Sequence, residues 1–302
     1  MRLLLVFLGP LCACFSHAAD LAHAADMADI VPTGAVVERV ATGLGFVEGP
    51  TWMAPQKVWL FSDIPTGRIY RLDHQLTLAV AFDPSYHSNG NRSDLQGNRY
   101  TCEQDGRLVS ATAADGTRRV LTASFNGKAF NSPNDCALAA DGSVWFTDPD
   151  YGLGKRPSEQ PVHGVYRLAA GASEPTLVAA DFVQPNGICF SPDGATCYIA
   201  DSGTPHHVRA FTVDHAQLSG GRIFAVITPG VPDGMRCDRA GRLYVTAGNG
   251  VQVFSPDGTR MGLIPVDKEP ANCAFGDEDG KTLLITARSA VYRIRLLVAG
   301  LP

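Results

Sequence analysis

Apolar residues along this chain come in short bursts, each closed by a polar residue and a turn. Bursts this short, rich in Val, Ile, Tyr, Phe and Trp and bounded by Gly, Asp and Asn, predict strands rather than helices. One burst per unit is especially clear: Val58 to Asp63, Asn98 to Glu103, Ser143 to Asp148, Thr196 to Asp201, Arg242 to Ala247 and Thr282 to Ala287. Their ends lie 40, 45, 53, 46 and 40 residues apart. Four short strands repeated at about that period predict a propeller blade, and six repeats predict an all-β, six-bladed β-propeller.

Turn chemistry agrees with this reading. Ala140-Asp141-Gly142, Pro192-Asp193-Gly194, Ala240-Gly241 and Asp279-Gly280 fall between the first and second strands of their repeats. A hairpin needs positive φ there, which Gly adopts without strain. The sixth repeat ends in Val291-Tyr292-Arg293-Ile294-Arg295, with too little chain after it for a fourth strand. The isolated strand Val36-Val37-Glu38-Arg39-Val40 lacks a blade of its own. It is expected to complete the last blade and close the ring, which removes an open sheet edge. The longest excursion within a blade, Pro149 to His163, predicts a lip or lid over one face.

Composition narrows the class. The 302 residues are 45% hydrophobic and 18% charged, ample for a large core, and 31 Gly with 20 Pro suit a turn-rich β protein. A formal net charge of -5 without a basic block argues against nucleic-acid binding. Arg2 followed by the apolar run Leu3 to Phe15, then Ser16-His17-Ala18 and Ala22-His23-Ala24, has the form of a secretory signal, so 1–24 is expected to be a cleaved leader. An uncleaved N-terminal anchor is the alternative. The run is short of the roughly 20 residues of a membrane span. No later stretch is long and apolar enough either, so the mature protein is expected to be soluble and periplasmic or secreted. Residues 25–35 are expected to be a tether, and 36–302 one propeller domain.

Outside the leader the cysteines are Cys102, Cys136, Cys189, Cys197, Cys237 and Cys273, nearly all within apolar strand patterns. They are expected to be small buried core residues. For Cys189 and Cys197 two registers are open. A two-residue turn at Asp193-Gly194 sets Cys197 opposite Phe190, and a five-residue loop sets the two cysteines opposite each other. Trp52, Trp59 and Trp145 are expected between blades, and His163, His206 and His207 in loops.

The candidate chemistry lies in the polar residue that leads each repeat: Glu48, Asn91, Asn134, Asn186, Asp233 and Asn272. The first strand of a blade lines the central channel, so these six are expected to form an oxygen-bearing ring at one mouth. Two carboxylates and four carboxamides suit a hard divalent cation such as Ca²⁺. Ordinary turn chemistry accounts for any one of these residues alone, since Asx residues are common in turns. It accounts poorly for Glu48. Zinc-type His/Cys spacing, an HExxH and a GxSxG are all missing from the sequence. A second set, Asp63, Glu103, Asp148 and Asp201, ends the second strands and is expected to be mainly structural.

Glu48-Gly49-Pro50-Thr51-Trp52, Asn131-Ser132-Pro133-Asn134-Asp135, Phe146-Thr147-Asp148-Pro149-Asp150-Tyr151-Gly152, Pro185-Asn186-Gly187, Pro232-Asp233-Gly234-Met235 and Asn272-Cys273-Ala274-Phe275-Gly276 resemble, in order, the regucalcin/gluconolactonase family. The resemblance implies a six-bladed propeller with one catalytic divalent metal in the channel. Ca²⁺ is the expected ion, with Zn²⁺, Mg²⁺ or Mn²⁺ as alternatives. It implies Glu48, Asn186 and Asp233 as metal ligands, and Asn134 as a further ligand or a substrate contact. The family hydrolyses sugar lactones, with relatives acting on other lactones or organophosphates. Close relatives carry His where this chain has Gln104.

The expected function is therefore metal-dependent hydrolysis of a sugar lactone. Asp233 would take a proton from the attacking water, and Asn91, Asn134, Asn272 and Glu103 would contact the substrate. The partner expected is the small-molecule lactone; the sequence implies no protein partner. The alternatives are hydrolysis of another lactone, ester or organophosphate on the same scaffold, or a non-catalytic propeller that binds calcium or a partner.

Overall fold

The computed structural model describes residues 27–204 and 206–301. The expected leader lies outside the described residues. Within them the chain forms six four-stranded antiparallel sheets and no helix. The innermost strands, in blade order, are Val47–Met53, Ser88–Ser93, Cys136–Leu138, Pro185–Phe190, Met235–Cys237 and Asn272–Gly276. Each touches the innermost strand of the next blade, and the sixth touches the first, so the six sheets close into a ring around a channel.

The last sheet is completed by Glu38–Thr42, antiparallel to Ala290–Arg295. The closing strand thus forms where expected, two residues later than the sequence pattern placed it. Val36, counted in the strand by pattern, is exposed, while Val40 and Ala41 pack between blades six and one. The tail after Arg295 returns to blade five, where Gly300 bridges Asp238.

The core lies between blades. Phe61, Val47 and Leu72 meet Ala274, Leu284 and Val291 from blade six; Trp145 and Val165 meet Ile188 and Ile199 from blade four. All three tryptophans contribute: Trp52 packs on Trp59 at 5.1 Å between ring centroids, and Trp145 is fully buried. The stretch expected to be a tether is partly docked. Met27, Ile30 and Val31 are buried against blades five and six, and Leu297 N–H donates to the Ile30 carbonyl at 2.8 Å. Three apolar side chains within five residues supply the driving force that a polar linker lacks.

All six described cysteines are buried and free. Cys197 pairs in register with Phe190, which selects the short turn at Asp193-Gly194. Gly142, Gly194, Gly241 and Gly280 all have positive φ at the hairpin tips, as the turn chemistry requires.

Candidate active site

The register defines the ring at the channel mouth. Val47, Ser88 and Pro185 pair with Asp63, Glu103 and Asp201, so Glu48, Asn89 and Asn186 are the next residues inward. Asn134, Asp233 and Ala271 donate their backbone N–H to the carbonyls of Thr147, Thr246 and Thr286 at 2.9, 3.0 and 2.8 Å. The same position is marked from the preceding blade. Ser62, Thr147 and Thr246 hydroxyls donate to the carbonyls of Asn89, Asn186 and Ala271. The ring is therefore Glu48, Asn89, Asn134, Asn186, Asp233 and Ala271.

Four of the six expected members are in place, and two are corrected. Asn91 lies two residues past the ring residue of its blade. Its amide donates to the Gly49 and Asn89 carbonyls and to Ser62 Oγ, and accepts from Thr101, all fully buried. Asn91 is a structural knot and leaves no atom free for substrate. Asn272 lies one residue past the ring. Its Nδ2 donates to Glu48 Oε2 at 2.9 Å and its Oδ1 accepts from Cys273 N–H, so it orients Glu48. Hairpin loops of unequal length and a bulge in the first strand of blade two slide a count made back from the second strand. A better marker was in the sequence: a polar residue followed by glycine, as in Glu48-Gly49, Asn89-Gly90, Asn186-Gly187 and Asp233-Gly234.

Those glycines let adjacent blades converge. A Cβ on Gly49 would sit 2.1 Å from the Asn89 carbonyl oxygen, and one on Gly187 would sit 2.3 Å from that of Asp233. The close approach also lets the side chains link around the ring. Asn89 Nδ2 donates to Asn134 Oδ1 at 2.6 Å, Asn134 Nδ2 to Asn186 Oδ1 at 2.6 Å, and Asn186 Nδ2 to Ser202 Oγ at 3.0 Å.

Two carboxylates complete the circle. Glu48 is buried, and Gly49 N–H donates to its Oε2 at 2.6 Å. Burial pushes the Glu48 carboxyl up to about 7, and Asp135 adds to the shift. Asp233 is part-open to the channel. It is also raised, first by desolvation, then by the charges of Glu48 and Asp135. Two buried acids raised by desolvation and by neighbouring carboxylates in a carboxamide cage have the chemistry of a hard-cation site, where the ion supplies the missing positive charge. The residues present fit a divalent metal held by Glu48, Asn186 and Asp233, with Asn134 adjoining. Among the described residues no three His, Cys, Asp or Glu side chains converge as a metal cluster. Carboxamides make up the rest of the donor set.

The loop from Pro149 to His163 covers this mouth. Arg156 pins it by donating to the carbonyls of Gln104, Asp105 and Gly152. Ser132 Oγ accepts from Gly152 N–H and donates to the Pro149 carbonyl. Gln104 is buried beneath the loop, with no room for a Cβ on Gly152 beside its side chain. The half-exposed Tyr151 projects from the loop. Its phenol is raised by burial and by Asp233, and has Ser202 and Asn186 as side-chain neighbours. Tyr151, unlike Asn89, was not distinguishable as a site residue by pattern. Tyr151 reaches the ring only because the loop folds back.

Glu103 is a third correction. Both its oxygens are taken by Arg118, at 2.8 and 2.6 Å, and Oε1 also accepts from Ser110, which leaves nothing for substrate. The rest of its set is structural, as expected. Asp63 accepts from Gly45 and Phe46 N–H, Asp148 from Asn131 N–H, and Asp201 from Val183, Gln184 and Gly203 N–H.

Residues 46–289 match the SMP-30/gluconolactonase/LRE-like region. The chain belongs to that family. Within it, a gluconolactonase of Zymomonas mobilis is 30% identical over 301 aligned positions, covering 90% of this chain and 84% of that one. A solved gluconolactonase from Xanthomonas campestris superposes with a TM-score of 0.86 at 33% identity, covering 90% and 93% of the two chains. A calcium-binding regucalcin from Agrobacterium tumefaciens shares the fold, with a TM-score of 0.74 at 20% identity over 88% and 96%. This member of the SMP-30/gluconolactonase family has the expected six-bladed propeller fold.

Proposed function

We propose that this chain is a metal-dependent sugar lactonase that opens an aldonolactone such as gluconolactone to its aldonic acid. The observation that carries the reading is the Glu48–Asp233 carboxylate pair set in a carboxamide ring at the mouth of the channel. The similarity to gluconolactonases supports the substrate class.

Glu48, Asn186 and Asp233 would hold a divalent cation, which would supply Lewis-acid polarisation of the lactone carbonyl. Asp233 stands part-open to the channel, where its carboxylate accepts a proton from the attacking water. The water oxygen bonds to the carbonyl carbon, the ring C–O bond breaks, and the proton passes to the departing ring oxygen. Asn89 and Asn134 present neutral amides to the hydroxyls of a polyol ring. Tyr151 and its loop exclude bulk water from the same face. Asn272 holds Glu48 in position.

The test is a pH-stat assay of gluconolactone against a lactone panel, after EDTA treatment and with Ca²⁺, Mg²⁺, Mn²⁺ or Zn²⁺ restored in turn. Turnover that needs the metal supports the reading; no turnover on any lactone with any of the four ions overturns it. We further propose, from Arg2 and the apolar run behind it, that the protein is exported to the periplasm or secreted. Fractionation of cells expressing the full chain checks this, and recovery in the cytosol alone refutes it.

A further inference from the structure

Three residues past the ring, each innermost strand carries one residue of a second tier. These are Thr51, Arg92, Ala137, Cys189, Arg236 and Ala274. Four of them, Arg92, Ala137, Cys189 and Arg236, line a single cavity of about 440 Å³. The cavity is also lined by the hairpin tips at Ala140 and Asp193, so it opens at the mouth opposite the ring. Its volume lies within the range of small-molecule sites.

Two arginines on its floor are an unusual lining. Arg92 and Arg236 are both buried and belong to blades two and five, which face each other across a six-bladed ring. Arg92 Nη2 reaches the Ile188 carbonyl in blade four at 3.1 Å, and Arg236 Nη2 reaches the Pro50 carbonyl in blade one at 3.4 Å. Arg236 Nη1 donates to its neighbour's carbonyl, Met235, at 2.7 Å. The arginines therefore cross the channel and divide it into two compartments. Among the described residues the acid beside them on the floor is Asp135, whose Oδ2 has no hydrogen-bond partner and lies 3.8 Å from Arg236 Nη1; the two acids elsewhere on the cavity wall are held by other groups, Asp141 by Arg167 and Ser143 and Asp193 by Ser191 Oγ and Ala195 N–H. Two guanidinium charges set against one carboxylate leave the cavity floor positive by one. Buried charge without a full complement is costly, and an anion relieves it.

We propose that this opposite mouth is a second binding site, for a small monocarboxylate with an apolar body. The carboxylate meets the guanidinium N–H groups of Arg92 and Arg236 that no described residue engages, a pairing favoured by charge and by fork geometry. The body rests against Leu138 and Phe190 on the cavity wall. The site is separate from the ring and does not depend on the lactonase reading.

Calorimetric titration of the full chain with hexanoate and with inorganic phosphate tests it. Hexanoate is expected to bind and phosphate to bind more weakly. Arg92→Met and Arg236→Met should each weaken hexanoate about tenfold or more, the scale of a lost charge-assisted hydrogen bond. Glu48→Gln, in the other compartment, should leave hexanoate affinity unchanged. Failure of hexanoate to bind, tighter binding of phosphate, or loss of binding in Glu48→Gln overturns the proposal. Should the arginine variants fold poorly, the wild-type protein still decides. Hexanoate should slow phenylglyoxal modification of Arg92 and Arg236, mapped by peptide mass spectrometry, and equal rates with and without it refute the site.

Discussion

Asp233 and Asn91 are both polar residues near the start of an innermost strand, and the structure gives them opposite duties. Asp233 faces the channel with an open edge, so Asp233→Ala should lower lactone hydrolysis by about 10²-fold to 10⁴-fold. Because it removes an acid raised by desolvation and by the charges of Glu48 and Asp135, the melting temperature should hold or rise. Asn91 bonds three acceptors and one donor from full burial. Asn91→Ala should cost about 1–3 kcal/mol in urea melts, because it orphans buried partners, while the activity of the folded fraction persists. A collapse of activity with unchanged stability would return Asn91 to the ring. Glu48 carries a pH consequence. Its folded pKa is raised from 4.5 to about 7, so the metal-free fold binds more protons than the unfolded chain in that interval. Stability of the EDTA-treated protein should therefore fall as pH rises from about 4.5 to about 7. Added divalent metal should restore it at the upper end. Melting temperatures across that range, with and without Ca²⁺, check the sign.

The strands themselves follow from alternation and turn residues, and their pairing follows from the closing segment. Residues 27–31 show how much an apparently featureless stretch contributes. Ile30 is completely buried between blades five and six. Ile30→Ala should destabilise by about 2–5 kcal/mol, the range for emptying such a site, measured by denaturant titration of the purified protein. A change within error would mean that this segment docks only loosely. In the sequence, Met27-Ala28-Asp29-Ile30-Val31 has neither strand alternation nor enough length for a helix, so pattern alone left it as linker. Its side chains find partners only after the last blade has closed. The loop carrying Tyr151 is the same kind of case. Its length predicted a lip, but the contacts of Arg156 and Ser132 set where the lip points.

A closed ring makes local fit a global property. Adjacent blades meet at the polar-glycine pairs, and at Gly49 and Gly187 the nearest atom is a backbone oxygen that cannot swing aside. Gly187→Ala would push a methyl group against the Asp233 carbonyl. It should cost about 1–3 kcal/mol through overpacking and should also reduce activity, because it spreads Asn186 from Asp233. Parallel measurement of melting and turnover checks both effects; loss of stability with full activity would separate the blade contact from the site. The six-fold arrangement also explains how one channel holds two differently charged compartments. The ring residues and the two arginines three positions past it lie at different depths, so acids gather at one level and guanidinium groups at another.

The sequence by itself determined the all-β class, the six repeats, the hairpin turns and the existence of a closing strand. Strand alternation and positive-φ turns are local, and repetition multiplied a weak local signal sixfold. It also placed Glu48, Asn134, Asn186 and Asp233 at the channel mouth, because each lies 14 or 15 residues before the end of a well-marked second strand, a spacing that admitted Asn272 as well. Only the tertiary structure decided that Asn89 belongs to the ring and Asn91 and Asn272 do not. In blade six a shift of one residue changes the face a side chain occupies, and in blade two a bulge between Ser88 and Asn91 displaces the count; the hydrophobic pattern of the second strand registers neither. The Arg118–Glu103 pair, the Tyr151 contact and the arginine-lined cavity were likewise settled in three dimensions. Each depends on groups distant in sequence that meet only when the blades close the ring.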